Sequence, residues 1–149
     1  MSEDKFRLKL TQESDFRFLV EFPETALQAL EVDESPPVGG HAGPDPARLL
    51  ATSVANCLAA SLLFALRKFK NQPEPITADV EVTMARNEAK RLRIGNIAVS
   101  LSLGRAEAEF AQLERVLAQF EDFCIVTQSV RGGIPVEVSV RDSEGKLLT

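Results

Sequence analysis

GPDPARLLATSVANCLAASLLFALRK, residues 43–68, runs from Leu49 to Leu66 without a charge and carries Cys57 near its middle. Its opening is a helix start signal. Asp45 can cap the first turn, and Pro46 takes the first helical position, where a missing N–H costs nothing. The helix predicted from there reaches about Lys70 and stops before Pro73 and Pro75, with Arg67, Lys68 and Lys70 at its negative end. At about 25 residues it is longer than most helices of small domains. The apolar run approaches the ~20 residues of a bilayer span. Thr52, Ser53, Asn56 and Ser61 interrupt it, however, and strands are predicted on both sides, so we expect no membrane partner. A helix apolar all round must otherwise be buried all round, which a small domain rarely achieves and a subunit interface achieves readily. The stretch therefore predicts a homodimer.

The rest of the chain fits an ordinary mixed domain. Its 149 residues suit one domain, and 44% hydrophobic with 26% charged residues is a globular composition. The net charge is −5 with the basic residues scattered, which excludes a phosphate-neutralising stripe and makes nucleic acid an unexpected partner. MSEDKFRLKL lacks the apolar core and cleavage site of a secretory signal, so a cytoplasmic location is expected.

Before the long helix, Phe6, Leu8 and Leu10 alternate, then QESD turns the chain into Phe16, Phe18, Val20 and Phe22. This period of two predicts a hairpin with one buried face. LQALEV, residues 27–32, is a candidate third strand, and residues 33–46, dense in proline and glycine, form a loop. After the helix, ITADVEVTMAR and RLRIGNIAVSLSL predict a second hairpin turning at Asn87 to Lys90. From Ala106 the apolar spacing changes to three and four through Phe110, Leu113, Val116, Leu117 and Phe120, an amphipathic helix. CIVTQSVR follows as a short helix, with Gly132 and Gly133 able to supply a left-handed cap. IPVEVSV is a last strand.

Two cysteines 67 residues apart fit no zinc-ligand spacing and, in a chain of this kind, no disulfide scaffold. On local grounds each is either core packing or a reactive thiol. Cys57 shares a helix face with Val54 and Ser61. Cys124 stands at a helix start, which favours a thiolate, although Glu121 and Asp122 oppose that. His41, the single histidine, lies in the GGHAGP loop near the helix entrance, where it is either a solvated side chain or a proton shuttle. Gly39, Gly40 and Gly43 lack the spacing of a phosphate cradle, no GxSxG elbow exists, and no cofactor is implied. Glu107 with Glu109, and Glu121 with Asp122, read as solubilising surface charge.

VGGHAGPDPARLLATSVANC together with CIVTQSVRGGIPVEVSV resembles the OsmC family of thiol peroxidases, which includes the organic hydroperoxide resistance proteins. The shared features are the glycine pair, the GPxP entry into a long helix, a cysteine within that helix, and a second cysteine followed by GIPV. The order of elements also agrees over nearly the whole chain. The resemblance implies an α+β fold of antiparallel sheets wrapped around long central helices in an intertwined homodimer. It implies that Cys57 attacks an organic hydroperoxide, that Cys124 resolves the product as a disulfide, and that a dithiol, in the family often a lipoyl group, restores both thiols. An early-strand arginine supports the leaving oxygen in such enzymes, and Arg17 is the candidate here. The glutamate that holds that arginine, ten residues before the cysteine, is replaced by Ala47, with Glu21 or Glu34 as substitutes and Arg48 a surface charge. A second reading follows from this loss: a non-enzymatic member that binds a small apolar or thiol-reactive ligand beside Cys57.

Overall fold

The computed structural model describes residues 4–149, which divide into two compact units, one ending at Leu50 and the other spanning Ala51–Thr149. In the first, β1 (Lys9–Ser14), β2 (Arg17–Glu21) and β3 (Leu30–Val32) make an antiparallel sheet in that order. The expected hairpin is present, with Leu10 opposite Val20 and Gln12 opposite Phe18. Its buried face is present only on the second strand: Val20 is buried and Phe18 and Phe22 are half-buried, whereas Phe6, Leu8, Leu10 and Phe16 are exposed.

The loop between β3 and the long helix is closed by its own carboxylates. Asp33 accepts the N–H groups of Glu34, Gly40 and Ala42 at 2.8, 3.1 and 3.0 Å. These bonds, the Ala42 one foremost, hold its carboxyl below the usual carboxylate range against the opposing effect of burial. The glycines serve this folding: a Cβ on Gly39 would sit 2.1 Å from the Glu34 carbonyl oxygen, and one on Gly43 2.1 Å from that of Glu31. Asp45 then caps the helix as its position predicts, accepting the Arg48 N–H at 2.8 Å and the Ser35 hydroxyl at 2.6 Å.

The long helix, α1, spans Pro46–Lys68 and ends with Arg67 and Lys68 in its last turn. It is long and apolar enough to cross a membrane by length and composition. Its burial is one-sided instead: Val54, Leu58, Leu62 and Leu66, spaced by four, are fully buried, while Phe64 is 75% exposed. In the second unit, β4 (Thr77–Arg86) and β5 (Leu92–Ser102) form the expected hairpin, and β6 (Val136–Arg141) adds in parallel to β5. Ile97, Val99 and Leu101 of β5 alternate inward at period two and join the α1 stripe, Val140, Phe120 and Cys124 in one core.

The amphipathic helix expected from Ala106 is broken. A 3-10 turn covers Glu107–Glu109, α2 covers only Leu113–Gln119, and a second 3-10 turn covers Phe120–Phe123. The cause is a long-range competitor. The Asn71 side chain accepts the Ala111 N–H at 2.8 Å and donates to the Ala111 carbonyl at 2.9 Å, taking the backbone groups a continuous helix would use. Gln112 follows in the left-handed region, φ 57. After α3 (Ile125–Val130), Gly132 and Gly133 do not supply a left-handed cap, since among the described residues the glycine with positive φ is Gly145.

Candidate active site

Cys57 and Cys124, remote in sequence, meet in the second unit. Cys57 is half-buried on α1 and Cys124, the residue that opens α3, is fully buried; both are free thiols. Burial alone would push both thiols up. For Cys57 that effect is overcome by hydrogen bonds from the Cys124 thiol, the Val126 N–H, the Ser61 hydroxyl and the Ile125 N–H, which together hold it below the ordinary cysteine value. Cys124 goes the other way, raised by burial and by donating to Cys57. Its sulfur is also hydrogen-bonded to the buried Thr127 hydroxyl at 3.0 Å. The pair is thus polarised: Cys57 ionises more readily than an ordinary cysteine and Cys124 less readily.

The segment carrying Cys124 is pinned. Arg131 donates to the Glu121 carboxylate at 2.7 Å and to the Val136 carbonyl at 3.2 Å, so one of the two acidic residues beside Cys124 is paired. Cys57 opens into a cavity of about 450 Å³ walled by Phe64, Phe69, Val116, Phe123 and Ile125, with Lys68 and Arg115 also in its lining. The Arg115 guanidinium lies 5.5 Å from the centre of the Phe69 ring.

In the first unit, Arg17 is held by a carboxylate after all. Glu31, from the neighbouring β3, accepts its Nη2 and Nε at 2.6 and 2.9 Å, in place of the Glu21 or Glu34 considered from sequence. This pairing lowers the Glu31 carboxyl, while Glu13, hydrogen-bonded to Glu31, is raised. His41 Nε2 lies 2.7 Å from the Ser35 hydroxyl, and Arg48 Nη1 bonds both Ser35, at 3.3 Å, and Asp45. These two residues belong to the network at the helix entrance rather than standing as isolated charges. Sequence reading missed Thr127, the donors from Ile125 and Val126, Glu31 and Arg115. Thr127 alone left a signal, three residues after Cys124.

Alkylation reads this polarity directly. In reduced protein, iodoacetamide is expected to label Cys57 with a pH inflection below that of an ordinary cysteine and well below that of Cys124, because the thiolate is the nucleophile. Cys124→Ala removes a donor to Cys57 and will move its inflection upward. An unmoved inflection would show that the two thiols are not coupled.

The model of the family described as OsmC-like protein matches residues 39–139. No curated protein matches the chain in sequence. Among solved structures, an OsmC-like protein of Vibrio cholerae superposes with a TM-score of 0.77 at 15% identity, covering 93% of this chain and 99% of that one. An OsmC-like protein of Mycoplasma pneumoniae gives 0.75 at 14%, covering 95% and 99%. The organic hydroperoxide resistance protein OhrB of Bacillus subtilis gives 0.65 at 17%, covering 91% and 98%. At these identities the likeness is one of fold.

Proposed function

Because this chain belongs to the OsmC-like protein family, we propose that it is a two-cysteine thiol peroxidase that reduces organic hydroperoxides. The observation that supports this reading is the oppositely shifted thiol pair, of which Cys57 lines an apolar cavity and Cys124 lies buried behind it. The Cys57 thiolate attacks the terminal peroxide oxygen, the O–O bond breaks, and the alkoxide leaves and takes a proton to become an alcohol. Cys57 is then a sulfenic acid. The Cys124 thiol attacks that sulfur, a disulfide forms and water is lost. An external dithiol, such as a reduced lipoyl group, returns both thiols and is itself oxidised to a disulfide. The protein acts as a homodimer in the cytoplasm, where thiols are kept reduced.

Arg17 is the proposed aid to the departing oxygen, with Glu31 as the carboxylate that orients its fork. Arg17→Ala is expected to slow peroxide reduction by roughly 10²–10³-fold, the usual loss of one preorganised donor. The alkylation profile of Cys57 will stay in place, and an unchanged peroxidase rate would remove Arg17 from the reaction.

The deciding experiment is titration of thiols in reduced protein before and after one equivalent of cumene hydroperoxide, with hydrogen peroxide in parallel. Rapid loss of both thiols is expected with the organic peroxide. Survival of both would refute the peroxidase and leave ligand binding in the cavity as the function.

A further inference from the structure

In the resolving step the attacking atom is the Cys124 sulfur, and its surroundings oppose attack. Cys124 is fully buried, and its thiol is raised first by burial and then by its bond to Cys57. A thiol attacks as its thiolate, so this site needs a donor that favours negative charge on the sulfur in the absence of solvent. Thr127 answers that need. It follows Cys124 by three residues at the start of α3, which brings its side chain back over the first turn, and it is itself fully buried. Its Oγ1 lies 3.0 Å from Cys124 Sγ, and through this bond it pulls the thiol down against the effect of burial.

A helical serine or threonine ordinarily turns its hydroxyl to the carbonyl one turn back. Ser129, two residues further along α3, does so, donating to the Ile125 carbonyl at 2.8 Å. The Thr127 hydroxyl meets a sulfur instead. A thiol has one proton, and that of Cys124 can lie toward Thr127 or toward Cys57. When it passes toward Cys57, the hydroxyl becomes the donor to the Cys124 sulfur. We propose that Thr127 is a catalytic residue of resolution, its hydroxyl holding the Cys124 sulfur and donating to it as the thiol gives up its proton and attacks Cys57. The S–S bond forms as the S–O bond of the Cys57 sulfenic acid breaks, and the hydroxide leaves with the Cys124 proton as water. Thr127 ends with its own proton. The inference rests on the two-cysteine reading for its place in a reaction, whereas attack of one thiol on the other can be followed without peroxide.

Dithiodipyridine, a neutral aromatic disulfide, separates the two steps in the reduced, full-length protein. Cys57 attacks it and releases one thiopyridone, and Cys124 then attacks the mixed disulfide at Cys57 and releases a second. Thr127→Val replaces the hydroxyl by a methyl of similar size, whereas Thr127→Ser keeps the hydroxyl and deletes the methyl. In Thr127→Val the second phase is expected to slow roughly tenfold, about what one hydrogen bond to a charged group is worth. Its pH inflection will move upward, and the first phase will stay near the wild-type rate. Thr127→Ser will keep most of the second-phase rate despite the lost buried methyl. A packing role predicts the reverse order of the two variants. Should Thr127→Val not fold, Thr127→Ala, also without the hydroxyl, is read against Thr127→Ser in the same way. A second phase as fast without the hydroxyl as in wild type, a Thr127→Ser protein as slow as Thr127→Val, or an unmoved inflection overturns the inference. Survival of both thiols with cumene hydroperoxide would refute the peroxidase and leave this result standing, because dithiodipyridine is itself the oxidant.

Discussion

Reduced Cys57→Ser protein, given one equivalent of cumene hydroperoxide, will consume it no faster than buffer and will keep its Cys124 thiol. The reason lies in the polarity of the pair. Cys124 is fully buried and its thiol is raised by burial and by its bond to Cys57, so it holds little thiolate near neutral pH. A serine hydroxyl at 57 is a weak nucleophile without an adjacent base. Cys124→Ser gives the complementary result: one thiol is lost, and a sulfenic acid persists at Cys57 for a 1,3-diketone to trap. The two variants therefore split a single reaction into attack and resolution. In wild type the rate of attack will fall as pH drops through the lowered Cys57 value, because protonation removes the nucleophile. Peroxide turnover by Cys57→Ser, or a lone disulfide-free Cys124→Ser protein losing no thiol, would assign the chemistry elsewhere.

What could be read from the sequence follows the range of the interactions involved. The bounds of α1 are local: Asp45, Pro46 and the basic last turn act within a few residues, and the helix spans Pro46–Lys68 much as they require. The meeting of Cys57 and Cys124 came from the family resemblance, since nothing in a spacing of 67 residues announces contact. The break before α2 was hidden because its cause, Asn71, sits forty residues from Ala111. The apolar periodicity through Ala106 and Phe120 is real, but it reports which side chains face inward and not whether the backbone stays helical. Glu31 was missed as the partner of Arg17 for a related reason: the pairing follows from the register of β2 against β3, with Leu19 opposite Glu31. Arg115 carries no signal in the sequence, because its place in the lining of the cavity beside Cys57 depends on tertiary packing.

Phe120 and Phe123 sit three residues apart in one 3-10 turn just before Cys124, yet the structure gives them opposite surroundings. Phe120 is fully buried in the core with Leu58, Val116 and Cys124, whereas Phe123 is 73% exposed on the cavity wall. Phe120→Ala is expected to cost about 3–5 kcal/mol, the usual loss for a buried ring whose cavity collapses only in part. Against a total stability of roughly 5–15 kcal/mol that is a fifth or more. It will show as a lower urea midpoint with an unchanged slope. The site should suffer with the core, because the emptied volume lies against the segment that presents Cys124. Resolution will slow, and the sulfenic acid will last longer in Phe120→Ala than in wild type, even where the protein is fully folded. Phe123→Ala, by contrast, should change stability by no more than about 0.5 kcal/mol, as exposed substitutions do. Were Phe123→Ala to cost as much as Phe120→Ala, its ring would have to be covered in solution by a second chain, and the cavity beside Cys57 would then be walled by two protomers.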